Sequence, residues 1–210
     1  MDDEYPLQLK IDYPERTLSR LSTALRAFMV IPIAILLGTV TGSSAKYVDG
    51  SGTSSSVVVS GVGLLVVPTL LMILFRRRYP RWWFDWNQQM LRFMDRVWVY
   101  AALMDDRYPS TEDEQSVHLD FPFPDAEQEL SRWLPLVKWA LAIPHYIVLG
   151  FLAVGVFFAV VCAWFAILFT GRYPRSIFRY VEGVTRWHNR VTAYAFILVT
   201  DRYPPFRLRP

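Results

Sequence analysis

Ile167-Leu168-Phe169-Thr170-Gly171-Arg172-Tyr173-Pro174-Arg175 closes the longest apolar run in the chain and opens a basic, aromatic segment. The same construction stands earlier, at Ile73-Leu74-Phe75-Arg76-Arg77-Arg78-Tyr79-Pro80-Arg81. Arg-Tyr-Pro triplets recur at Arg107 to Pro109 and Arg202 to Pro204, each directly after an aspartate. Two matched pairs of boxes point to a duplicated chain. Read outward from the box, arginine belongs at the headgroups, tyrosine in the interface, and proline breaks a span before an interfacial helix.

The alignment of the halves extends well beyond the boxes. Ser131-Arg132 matches Ser19-Arg20, Lys138 falls opposite Arg26, Pro144 opposite Pro32 and Gly150 opposite Gly38, all 112 residues apart. The boxes themselves lie 94 apart, Arg78 to Arg172. The 18-residue difference (112 less 94) is the Gly/Ser/Thr-rich stretch from Thr39 to Ser56, which reads as a loop. After it, Val57 to Phe75 is almost purely apolar and long enough to cross a hydrocarbon core of about 30 Å. In the second half Leu136 to Phe169 runs on with almost no polar interruption. Against the first half it reads as a tight helical hairpin turning near Gly150 to Gly155.

Short alternating segments precede each hairpin, Leu7 to Pro14 and Val117 to Pro124, and both read as strands. An amphipathic pattern follows each box. In Arg81 to Tyr100, Met90, Phe93 and Val97 oppose Gln89, Arg92, Asp95 and Arg96. After Arg175, Ile177, Val181, Val184 and Val191 oppose Arg179, Glu182, Arg186 and Arg190. Both read as helices lying in the interface. The expected fold class is therefore all-α integral membrane. Four transmembrane helices form two tandem helical-hairpin repeats, 1–110 and 111–210, with interfacial helices and short cytoplasmic strands.

The bulk numbers agree. In 210 residues, 53% are hydrophobic, 16% aromatic and 20% charged, with a mean hydropathy of +0.21. That composition favours a surface facing lipid. The net charge of +3 is modest, and the arginines flank apolar runs rather than lining a groove, so nucleic acid is not an expected partner. Cys162 stands alone, which excludes an intrachain disulfide and a thiolate metal cluster. The acidic start, Met1-Asp2-Asp3-Glu4, lacks the positive region of a cleavable signal, so insertion through internal segments is expected. Basic flanks at Arg76 to Arg81 and Arg172 to Arg175, with Arg207 and Arg209, place both termini in the cytoplasm of a multi-pass cell-membrane (inner or plasma membrane) protein.

The strand with Tyr-Pro, the Ile-Pro helix ending in Gly, the Leu-Phe-x-x-Arg-Tyr-Pro-Arg box, Arg186-Trp187-His188-Asn189-Arg190-Val191 and the closing Thr200-Asp201-Arg202-Tyr203-Pro204-Pro205-Phe206 form a pattern. It resembles the bacterial membrane family catalogued as domain of unknown function 4389. Val117 to Phe206 is the closer copy; the first half keeps the Arg-Tyr-Pro boxes but has Phe93-Met94-Asp95 where the second has Trp187-His188-Asn189. The resemblance implies an integral membrane protein and brings no activity, substrate or catalytic residue.

Three constellations are candidates for function. His145, after Pro144 in an apolar run, is an intramembrane polar site by default. An interhelical hydrogen bond is its plainer role; metal or haem ligation is the sharper one, with His118 and His188 in other segments. Arg26 and Lys138 occupy matching positions and are expected to snorkel to headgroups, or to form a paired anionic-lipid site. Arg78, Arg81, Arg172, Arg175, Arg179, Arg186 and Arg190 extend the candidate lipid contacts, the last four as a headgroup-facing stripe or a binding groove. Glu182 and His188 are about two turns apart and could exchange protons, but no nucleophile, phosphate loop or carboxylate pair accompanies them.

The expectation is a non-catalytic accessory or scaffold subunit of a larger membrane complex, without cofactor. The other reading is a small lipid-binding or transport module using the interface between the repeats. Expected partners are membrane lipids, other membrane subunits and a second copy of the chain.

Overall fold

The computed structural model describes residues 5–48, 54–111, 113 and 115–209. In chain order they form β1 (Gln8–Ile11), α1 (Arg20–Thr41), β2 (Gly42–Val48), β3 (Ser54–Ser60), α2 (Gly61–Leu71), α3 (Arg81–Ala101), β4 (Val117–Asp120), α4 (Pro135–Leu141), α5 (Ile143–Thr170) and α6 (Arg175–Thr192). A π-helical turn at Met72–Arg76 extends α2, and another at Ala193–Ile197 extends α6.

Three layers result. α1, α2 and α5 form one outer layer, α3 and α6 the middle, and an antiparallel β1–β4 ribbon the other outer layer, with β1 on α6 and β4 on α3. Alternation along the ribbon decides its faces. Leu9, Ile11, Val117 and Leu119 point inward and are buried, whereas Gln8, Lys10, His118 and Asp120 point to solvent.

Two expectations on the outer layer need correction. Thr39 to Ser56 is not a plain loop: α1 runs to Thr41, and β2 pairs with β3 from Gly42↔Ser60 to Val48↔Ser54. Its valine-rich return, Ser54–Ser60, takes residues that the sequence assigned to a span, so α2 starts only at Gly61. The turn near Gly150 to Gly155 is absent, because α5 is one helix of 28 residues, about 42 Å at 1.5 Å per residue. Among the described residues α5 is the one helix long and apolar enough to cross a membrane, against the four expected.

Gly155 has a packing reason to sit in the helix, and Gly150 is an exposed position within it. A Cβ at Gly155 would lie 2.4 Å from the Tyr180 hydroxyl, so the glycine lets α6 approach. That hydroxyl donates to Leu152 O at 3.1 Å. A Cβ at Gly150 would meet nothing within 4 Å, which makes that glycine a surface position and not a turn. Pro144 lies in the first turn of α5, where its missing N–H costs nothing.

Contacts recur between the halves at matched spacings, 110 in the ribbon and 94 or 95 from the boxes onward. The ribbon register pairs Leu9 with Leu119 and is unchanged when each residue is exchanged for its mate 110 positions away. Arg186 Nε donates to Leu9 O at 2.9 Å, and Arg92 Nε to Leu119 O at 2.8 Å. Tyr79 Oη donates to Ile197 O at 2.8 Å, and Tyr173 Oη to Ala102 O at 3.3 Å. Tyr13 meets Phe178 edge-on at 5.1 Å, as Phe123 meets Phe84 at 5.1 Å. The box tyrosines are thus buried braces from one half to the other rather than interface residues, while the prolines cap α3 and α6 as expected.

The spacing shifts from 94, Tyr100 to Tyr194, to 95, Leu103 to Leu198, and both leucines are left-handed at φ 64° and 63°. The extra residue falls inside the π turn Ala193–Ile197, and a π turn is how an α-helix absorbs one inserted residue.

Candidate functional site

α3 and α6 carry matching stripes at helical spacing. Met90, Leu91, Met94, Asp95 and Trp98 face a cavity, as do Val184, Thr185, His188, Asn189 and Thr192, each 94 positions on. Leu149, Ala153, Val156, Phe157 and Val160 of α5 form the third wall of this space of about 670 Å³. Its lining is mainly apolar. The size is that of a small-molecule site, roughly 300–1,000 Å³.

The polar groups of the cavity concentrate where the two stripes meet. Asn189 Nδ2 donates to Asp95 Oδ2 at 2.7 Å, and Trp98 Nε1 to Thr185 Oγ1 at 2.9 Å. Asp95 and Asn189 are equivalent by spacing, so each half supplies one partner. Burial pushes the Asp95 carboxyl up to about 7, against the lowering effect of the Asn189 hydrogen bond. Asn189 Oδ1 has no partner among the described residues, and a protonated Asp95 would offer the donor it lacks. The Asp95–Asn189 pair can therefore be neutral near neutral pH, which suits an apolar occupant above it.

A second cleft of about 530 Å³ lies along the ribbon, lined by Arg92, Arg96, Arg186 and Arg190 with Lys10 and His118. Here the guanidinium groups hold backbone in place. Besides the ribbon carbonyls, Arg186 binds Leu208 O at 3.1 Å and Glu182 at 2.7 Å, Arg96 binds Ser110 O at 2.7 Å, and Arg190 binds Arg209 O at 3.2 Å.

Several expected lipid contacts are therefore inside the protein. Arg186 and Arg190 are buried, so the basic stripe of α6 is split: Arg175 and Arg179 are exposed, the other two are covered by the ribbon and the C-terminal tail. Arg26 does not snorkel. It is buried, donates to Tyr100 O at 3.2 Å and Asp105 O at 2.8 Å, and lies 3.9 Å from the Tyr100 ring centroid. Lys138, fully buried, repeats this with Thr200 O at 2.7 Å, Asp201 at 2.8 Å and the Tyr194 ring at 5.1 Å. Each cation clamps the chain after its own amphipathic helix, and neither presents a surface to a headgroup. Arg78, Arg81 and Arg172 are exposed and remain available.

His145 is buried and makes an interhelical hydrogen bond, accepting at Nδ1 from Trp187 Nε1 at 3.1 Å and stacking on Phe206 at 4.0 Å. The histidines do not converge: His118 pairs with Asp12 at 2.8 Å on the ribbon, and His188 is on the cavity wall. Among the described residues no group of three or more metal-ligating side chains occurs. Glu182 does not join His188, since it is held by Arg186 and accepts the Ile11 N–H at 3.3 Å under the ribbon.

Sequence reasoning missed Asp95 as a site residue. The available signal was its alignment with Asn189, a near-isosteric pair of polar residues on otherwise apolar stripes.

Residues 133–207 match the family described as a domain of unknown function (DUF4389). The match supports the resemblance drawn from the sequence for one copy, in the second half, and not for two. No curated protein and no solved structure matches the chain.

Proposed function

We propose that the chain is a non-catalytic membrane protein of the cell membrane that binds lipid, seating an acyl chain in the cavity between two copies of one structural unit. The copies are residues 1–110 and 111–210, and the recurring contacts across them support the duplication. The observation that carries the lipid reading is the cavity itself. It is apolar, it is built from both halves, and Phe157 both lines it and stands exposed on the outer face of α5. An amphiphile could thus pass from a surrounding bilayer into the cavity without crossing water. Both described chain ends gather on the polar side, Tyr5 at Arg190 O and Arg209 at Arg190 Nη1, in keeping with termini on one, cytoplasmic, side.

The accessory-subunit reading uses the same apolar surface with another membrane protein against it. One experiment separates the two. The chain is purified from membranes in a mild detergent, and bound lipids and proteins are identified by mass spectrometry, beside Ala153→Trp, which fills the cavity from α5. About one acyl-chain lipid per chain, lost in Ala153→Trp with folding retained, is expected. Equal lipid in both proteins, or none with other membrane proteins at fixed ratio, would refute the lipid reading.

A further inference from the structure

The outer layer and the ribbon differ sharply in what they expose. On α5, Phe151, Val154, Phe158, Phe165 and Phe169 form one exposed apolar stripe along the whole helix. On α1, Leu21, Leu25, Phe28 and Ile35 do the same. On the opposite side of the molecule, the ribbon exposes Lys10, Asp12, His118 and Asp120. Each of its strands pairs with the other on one edge, and the outer edges are held by α3 and α6 through Arg92 at Leu119 O, Arg186 at Leu9 O and Glu182 at the Ile11 N–H.

The ends of the long helices fix how these faces lie. Leu18 N donates to Gly171 O at 2.9 Å and Arg20 to Phe169 O at 3.2 Å, so α1 starts where α5 ends. Arg132 Nε donates to Leu74 O at 2.7 Å, so α2 ends where α4 begins. α1 with α2 therefore runs antiparallel to α4 with α5, and each end of the layer carries arginines: Arg20, Arg172 and Arg175 at one, Arg76, Arg78 and Arg132 at the other. Arg92 and Arg186, near the middles of α3 and α6, hold the centre of the ribbon. The ribbon is thus level with the middle of the long helices.

If α5 crossed a bilayer upright, that ribbon would sit at mid-depth, with the exposed ionisable side chains of Lys10, Asp12, His118 and Asp120 turned sideways to lipid. Ionisable side chains within a bilayer turn to the protein interior or to a water-filled cavity, and facing hydrocarbon is costly for them. We infer that the chain instead lies in one leaflet, with α1 and α5 parallel to the membrane plane and their apolar stripes in the acyl region. The ribbon and both termini are in water. The partner is an anionic lipid surface: exposed arginines at both ends of the layer, with Trp82, Trp133 and Trp139, occupy the headgroup zone. This orientation stands whether or not the cavity holds an acyl chain.

Single cysteines test it in the full chain. In a Cys162→Ser background, Arg78→Cys, Arg172→Cys and Lys10→Cys are labelled with a membrane-impermeant maleimide in right-side-out and inverted native membrane vesicles. Labelling of all three from one side only is expected, with Arg76→Cys standing in if Arg78→Cys fails to fold. Labelling of Arg78→Cys and Arg172→Cys from opposite sides would overturn the inference, as would a Lys10→Cys shielded from both. Depth gives an independent reading, since Cys162 is exposed on α5 and accepts a fluorophore in the natural chain. In phosphatidylethanolamine–phosphatidylglycerol vesicles, fluorophores at Cys162, Phe151→Cys and Phe169→Cys are expected at one shallow depth by spin-labelled-lipid quenching. A marked depth gradient along α5 would mean that the helix stands upright.

Discussion

Replacing Asp95 by asparagine should stabilise the protein at alkaline pH and change little in acid. The carboxyl is buried between α3 and α6 beside the cavity, and its burial raises it to about 7 from an ordinary 3.8. Because the folded value lies above the unfolded one, the folded state binds the extra proton between those limits. Stability then falls as pH rises from about 4 to about 7 and stays low beyond, where ionised Asp95 is buried. A displacement of about 3 units at 1.36 kcal/mol each makes this cost about 4 kcal/mol above pH 7. The asparagine side chain of Asp95→Asn would carry no charge and could donate to Asn189 Oδ1 while accepting from Asn189 Nδ2, keeping the 2.7 Å contact and adding its complement. At about 2–4 °C per kcal/mol for a chain of this size, the variant should melt roughly 10 °C above the natural protein at pH 8. The two should coincide near pH 4. Thermal unfolding followed by circular dichroism in one detergent, across pH 4 to 9, gives the difference curve. A flat difference, or a variant less stable than the natural protein at pH 8, would refute the account of the buried pair.

Gly155→Ala should destabilise by about 1–3 kcal/mol, because its methyl would meet the Tyr180 hydroxyl, and Tyr180→Phe in the same chain should recover part of the loss; a double-variant unfolding cycle checks the coupling. Arg77 holds a left-handed conformation, φ 50°, at the position where the second half has Gly171 at φ 72°. Arg77→Gly should therefore stabilise by about 1 kcal/mol, read as a raised melting point. Removal of residues 43–60, the 18 by which the first half exceeds the second, should join α1 to α2 as one helix in the manner of α5. That variant should stay folded with its helical circular dichroism retained, and an aggregated product would count against the equivalence of the two halves.

Much of the fold is legible in the residues. The strands at Gln8–Ile11 and Val117–Asp120, the proline-capped helices α3 and α6, and the position of the 18-residue excess all follow from alternation, capping and internal spacing. The error lies in what the excess means. A Gly/Ser/Thr-rich stretch between two apolar runs reads as a loop outside a membrane, which makes each half a hairpin. Valines 57–59 instead pair with Ser43 to Ala45, so the excess is a β-hairpin set into a helix. With the insert removed, the default is a helix that continues, as α5 does past Gly150 and Gly155. Hydropathy cannot separate these cases, since a lipid-facing turn residue and a glycine that admits Tyr180 have the same composition.

The site was less legible, for a reason that concerns arginine. On a helical wheel, Arg186 and Arg190 complete a basic face with Arg175 and Arg179, and a basic face ordinarily means water or headgroups. What covers the first two is long-range: strand carbonyls from 177 residues away and the C-terminal tail. A guanidinium with five donors can be buried when unpaired backbone acceptors surround it, and a two-stranded ribbon with open edges supplies them. The same reasoning explains Arg26 and Lys138, whose partners are the carbonyls of Asp105 and Thr200 just past the left-handed leucines 103 and 198. Once those cations are turned inward, the exposed arginines of the α1–α5 layer are those at its two ends, and its faces are left apolar on one side and covered by α3, α6 and the ribbon on the other. Polarity then varies across the thickness of the molecule rather than along its long helices, and this is the distribution that the proposed leaflet orientation requires.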